Sequence, residues 1–68
     1  MSHSITPPTA GTFRERRLAL KFTQEQLARR ARVSTSMLKF VEAGLPPSPN
    51  IAGRLERALT KAEAARGD

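Results

Sequence analysis

An all-α fold of four helices, five at most, is what this sequence predicts, and three observations carry the prediction. Apolar residues recur at helical spacing in four blocks, and no block shows the strict alternation of a strand. Each block is preceded by a Ser or Thr suited to capping a helix. Glycine and proline fall mainly outside the blocks, at Pro7, Pro8, Gly11, Gly44, Pro46 and Pro47.

The first helix is expected to start at Thr12, because Thr12 and Glu15 have the spacing of a capping box. On a wheel of about 100° per residue, Phe13, Arg17 and Leu20 share one face. An arginine between two core residues is costly to bury alone, so the pattern demands a carboxylate from elsewhere in the fold.

The second helix has the clearest start in the chain. Thr23 and Gln26 form a second capping-box pair, and Phe22 and Leu27 stand where a hydrophobic staple closes. Leu27, Ala28 and Ala31 form a narrow apolar face, and Ala28 lets a neighbouring helix come close. The period breaks at Arg32-Val33, and Ser34 is the next N-cap.

The third helix is expected from Thr35 to about Ala43. Met37, Leu38 and Val41 fall on one side, Thr35, Ser36 and Lys39 on the other, with Phe40 at the edge. Glu42 lies beside Leu38 at the margin of the buried face, which makes it the partner for Arg17. Gly44 supplies the left-handed residue that ends the helix. Phe40 then has two readings, contact with a partner on the outer face or packing on Leu45. After the stiff loop LPPSP, Ser48-Pro49 reads as N-cap and first helical residue. Ile51, Leu55, Ala58, Leu59 and Ala62 line one stripe of a fourth helix reaching about Ala65. Arg54, Arg57 and Lys61 are read as its solvated face.

Composition narrows the function. Sixty-eight residues make one domain, with residues 12–66 as the folded part and 1–11 as a disordered arm. No Cys is present and His3 is the only histidine, so no metal site is expected. No apolar run approaches a membrane span of about 18 residues, and the start lacks a secretory pattern, so a cytoplasmic protein is expected. The formal charge is +6. Residues 13–39 hold eight basic against two acidic side chains, and the remainder balances to zero. That asymmetry favours a polyanionic partner.

Two short helices joined by a tight turn, the second with an outward polar face, form the helix-turn-helix layout, here at about residues 24–43. The run FRERRLALKFTQEQLARRARVSTSMLKFVEAG, with a later Ser-Pro, resembles the phage-repressor-like (XRE) family of Cro and lambda-type repressors. The matching features are Arg17, the opening TQEQLA, Val33, Leu38, Val41, the Glu42-x-Gly44 ending and Pro49. The resemblance implies a lambda-repressor-like DNA-binding domain, bacterial or phage-encoded. It also implies a sequence-specific regulator of transcription, a small autoregulatory repressor, that reads the major groove of double-stranded DNA with the third helix. Ser34, Thr35, Ser36 and Lys39, with Phe40 on a thymine methyl, would face base edges. Gln24, at the positive end of the second helix, would meet a phosphate, with Arg32, Arg14 and Lys21 as further phosphate contacts. The family pairs an arginine at the position of Arg17 with a glutamate at that of Glu42. A homodimer on a two-fold operator is expected, with half-sites about one helical turn apart.

Three departures stand out. The turn residue that is usually Gly in this family is Arg32. The loop LPPS carries no charge where relatives are often basic. Many members have a fifth helix for dimer contact, whereas four read clearly here. The alternative function is an antitoxin-type or other protein-interaction module on the same fold; a cationic membrane binder fits the well-capped blocks poorly. No enzyme is expected, because no His pairs with a nucleophile and Glu15, Glu25 and Glu42 each have a structural use. No cofactor, catalytic residue or small-molecule ligand is expected.

Overall fold

The computed structural model describes residues 10–66, with side chains from Phe13 onward. The described chain forms four helices in order: α1 (Ala10–Ala19), α2 (Gln24–Ala31), α3 (Thr35–Glu42) and α4 (Pro49–Ala65). Helix α1 starts ahead of Thr12, so Thr12 lies within the first turn and not at the N-cap position that the sequence suggests. Ala10 is a strong helix former, and the helix extends back to it through the weaker helix formers Gly11 and Thr12. Of the arm expected over residues 1–11, residues 10 and 11 belong to α1 instead, while residues 1–9 with His3 lie outside the described residues, as do Gly67 and Asp68.

The other three helix starts follow the sequence. Thr23 accepts the backbone N–H of Gln26 at 3.0 Å, and Gln26 Oε1 accepts the Thr23 N–H at 2.8 Å. Both orphan donors at the α2 start are thereby satisfied. Ser34 accepts the Met37 N–H at 3.0 Å, and Ser48 accepts the Ile51 N–H at 3.3 Å with Pro49 opening α4.

The ends of α1, α2 and α3 share one device. Each chain reverses through a left-handed residue, whose own N–H and that of the next residue close back on the helix. At Gly44 (φ 113°), Gly44 N–H donates to Val41 C=O and Leu45 N–H to Phe40 C=O, both 3.1 Å. At Arg32 (φ 62°), Arg32 N–H donates to Arg29 C=O at 3.3 Å and Val33 N–H to Ala28 C=O at 3.0 Å. At Lys21 (φ 60°), Lys21 N–H donates to Leu18 C=O at 2.9 Å and Phe22 N–H to Arg17 C=O at 3.1 Å. Arg32 thus adopts the glycine-like conformation instead of reshaping the turn. Lys21 does the same, at a position where no turn residue marks it in the sequence.

The core holds Phe13 of α1, Leu27, Ala28 and Ala31 of α2, Leu38 and Val41 of α3, and Leu55 and Leu59 of α4. Leu20, Phe22, Val33, Ile51, Ala52 and Ala58 pack around it. Helix α2 packs against both α3 and α4, and α1 closes the other side against the same two. Met37 departs from the expected inner side of α3 and is 37% exposed. It lies about 100° round the helix from Leu38, beyond the sector that α1 and α2 cover. The apolar hold on α3 is therefore Leu38 and Val41, which leaves much of its circumference to solvent.

Candidate nucleic-acid interface

A buried ion pair fixes how α3 stands against α1. Arg17 is 7% exposed, and its Nε and one terminal nitrogen donate to the two carboxylate oxygens of Glu42 at 2.6 and 2.9 Å. The other terminal nitrogen donates to the Phe22 carbonyl at 2.8 Å, in the bend between α1 and α2. Gln24 completes the group, because its Nε2 donates to Glu42 Oε1 at 2.9 Å. One carboxylate thus accepts from α1 and from the first residue of α2 while standing in the last turn of α3. Such a fully hydrogen-bonded pair offsets the desolvation that makes lone buried charges costly.

Around this anchor, α3 and its cap present all of their expected residues outward except Thr35. Ser34, Ser36, Lys39 and Phe40 are exposed and Thr35 is half-buried. Taking Leu38 as the inner pole, Ser36 and Phe40 stand about 160° away on either side of the outer pole, with Lys39 and Thr35 on one flank. Phe40 is 55% exposed, as is Leu45. The backbone closure of the α3 end therefore forms with Phe40 still largely open to solvent. Ser34 spends a lone pair on its cap, and its O–H remains a donor.

The phosphate candidates divide. Arg14, Lys21 and Arg32 are exposed. Gln24 is half-buried, and its amide is turned to Glu42 rather than held free at the helix start. Arg29 joins the site without having been expected there. It lines a depression of about 370 Å³ together with Glu25, Ser34 and Thr35, which places a guanidinium beside the start of α3. The spacing of Ser34 from Arg29 carries no such signal, since only the reversal at Arg32 brings them together.

Two further arginines support the unit. Arg54 of α4 donates from a terminal nitrogen to the Arg32 carbonyl at 3.3 Å, and from Nε to Asn50 Oδ1 at 3.3 Å. Arg16 of α1 bridges to α4, donating to Glu63 through two nitrogens and to Glu56 through a third, all at 2.8 Å. These bonds hold the Glu56 and Glu63 carboxyls below the usual carboxylate range, and the same bonds push the Arg16 pKa further up.

A family model described as helix-turn-helix matches residues 13–65, which is most of the chain. The chain belongs to the helix-turn-helix family. Its type is the XRE, lambda-repressor-like one that the sequence resembles. No curated protein and no solved structure matches it significantly. Membership makes this helix-turn-helix protein a DNA-binding domain of the transcription-regulator kind, with double-stranded DNA as its partner. The family is not typically enzymatic. Among the described residues, no helix is long and apolar enough to cross a membrane, and no cluster of three or more metal-ligating side chains occurs.

Proposed function

We propose that this helix-turn-helix protein is a small autoregulatory repressor that reads the major groove of its operator with α3. The observation that carries the reading is the outer face of α3. Four polar or aromatic side chains, Ser34, Ser36, Lys39 and Phe40, are exposed on a short helix and its cap that Leu38, Val41 and the Glu42 ion pair tie to the rest of the fold. A helix start lined with small hydroxyls fits deep into a major groove, whose base pairs each present a distinct donor and acceptor pattern. Lys39 suits guanine acceptors, Phe40 a thymine methyl, and Ser36 and Thr35 a range of base edges. Arg32, Arg14 and Lys21 supply exposed charge for phosphates, and Gln24 retains one amide hydrogen for the same use.

The protein would act as a homodimer on a two-fold operator in the cytoplasm, with half-sites about one helical turn apart. Selection of bound duplexes from a random pool tests this. The expected product is a motif with two-fold symmetry that changes when Ser36 or Lys39 is replaced. Recovery of no bound duplex would overturn the reading and favour the protein-interaction module, and binding without any enriched motif would overturn its sequence specificity. If Thr35, Ser36 and Lys39 all become Ala with the motif intact, the reading face lies elsewhere.

A further inference from the structure

The balanced charge of the second half of the chain hides a separation. On α4, Glu56, Thr60 and Glu63 face α1 and engage Arg16. The opposite flank, with Arg54, Arg57 and Lys61, faces the end of α2, where Arg30 and Arg32 stand. These five cations line one groove of about 400 Å³. Among the described residues, its lining holds no carboxylate. Like charges gathered this way repel one another; Asn50 Oδ1 and the Arg32 carbonyl accept from Arg54, and Arg30 lies over the Phe22 ring at 4.8 Å, but no carboxylate in the wall neutralises them.

A second observation points the same way. Arg32 holds a left-handed conformation that costs an L-residue free energy and costs glycine almost none. Such outliers are retained where the surroundings over-determine them and often mark function. Here the surroundings are visible, because Arg54 from the groove wall donates to the Arg32 carbonyl. What arginine adds over glycine is a guanidinium at the groove mouth, next to the start of α3.

We propose that the groove between α2 and α4, formed by Arg30, Arg32, Arg54, Arg57 and Lys61, is a second DNA-binding surface that takes a phosphodiester backbone. The spacing suits a polymer better than a single anion. Arg54 and Lys61 are seven residues apart on one helix, about 10 Å, which is the axial rise of about three phosphates on a strand. No residue of α3 lines the groove, so it reads no bases and adds affinity that is independent of sequence. The inference rests on the DNA-binding reading of the chain. The backbone comes from the flank of the duplex that α3 occupies or from a second duplex.

The test compares the full chain with the double variant Arg57→Gln/Lys61→Gln on mixed-sequence duplexes of about one and about three helical turns. Both substituted residues are exposed. Losing two phosphate contacts lowers the slope of log affinity against log salt by about 1.8, a change of about tenfold in relative affinity between 50 and 200 mM salt. If the flank supplies the backbone, the slope change appears on the long duplex and is absent on the short one. If a second duplex supplies it, the wild-type chain co-captures two differently labelled duplexes and the variant does not. Equal slopes and equal co-capture for a wild-type chain that binds DNA overturn the groove alone. A wild-type chain that binds neither duplex sinks the DNA-binding reading and the groove with it. Displacement of wild type, but not the variant, by poly-glutamate with equal DNA slopes assigns the groove to an acidic protein segment and overturns the proposal. Lys61→Gln alone repeats the comparison, with half the change expected, should the double variant lose stability.

Discussion

Arg17 holds Glu42 through both carboxylate oxygens, at 2.6 and 2.9 Å, and so ties the last turn of α3 to α1 across 25 positions of chain. Removing one partner leaves the other charge buried and unpaired. Arg17→Met or Glu42→Leu alone is expected to cost about 3–5 kcal/mol, which for a marginal domain of this size is most of its stability. The double change should cost much less than the sum, because two apolar side chains then share the site. A residual loss of about 1–3 kcal/mol remains from the Phe22 carbonyl and the Gln24 amide, which lose their partner. Urea midpoints of the three variants check this, and additive losses would show that the pair is not coupled.

The pair is legible in the sequence because the helix period puts Arg17 between Phe13 and Leu20. A buried guanidinium must find an acceptor, and Glu42 is the acid on the margin of the α3 core face. The caps at Thr23, Ser34 and Ser48 are legible for a different reason, since each is a local bond over three residues. What the sequence hides is long-range or unmarked. Lys21 reverses the chain in a left-handed conformation with no glycine to announce it. Arg16 reaches Glu56 and Glu63 across 40 and 47 positions, and periodicity does not say which flank of α4 faces α1. The place of Gln24 at a helix start points to a phosphate, whereas its amide bonds Glu42. Summed charge misleads in the same way, because a total of zero describes both an even mixture and two opposed flanks.

Arg32 sets stability against binding. Replacing it with glycine relieves a left-handed strain of about 1–2 kcal/mol, while the freer unfolded chain takes back about 0.5–1 kcal/mol. Arg32→Gly should therefore be as stable as the parent or more so, by up to about 1.5 kcal/mol. Its DNA affinity should fall at the same time, with a salt slope shallower by about one phosphate, or about 0.9. Denaturation and titration on the same samples measure both. A variant that is clearly less stable would mean that the arginine side chain packs in the turn and does more than carry charge.

The Arg16 cluster makes part of the stability depend on pH. Glu56 and Glu63 are held below their ordinary range chiefly by their hydrogen bonds from Arg16. Carboxyls with a depressed folded pKa contribute stability that is present above their unfolded pKa of about 4.3 and lost as pH falls through the folded value. Wild-type stability should therefore drop between about pH 5 and 3. Arg16→Met should flatten that acid limb while changing stability near pH 7 only modestly, since Glu56 is exposed and Glu63 only half-buried. Thermal midpoints across that range decide it; parallel curves for the two proteins would assign the acid limb to other carboxylates.

Phe40 can separate folding from recognition. It is 55% exposed and stands near the outer pole of the helix, opposite Leu38. Truncation to alanine removes little buried area, so stability should change by no more than about 0.5 kcal/mol. The closure of the α3 end should survive, because it is made by backbone groups at Gly44 and Leu45. If Phe40 meets a thymine methyl, the change should relax preference at one base pair, by about 1–3 kcal/mol of discrimination, and leave the salt slope unaltered. Competition between matched duplexes that differ at single positions reads this directly. Loss of stability without loss of preference would place Phe40 with Leu45 in the fold and remove it from the reading face.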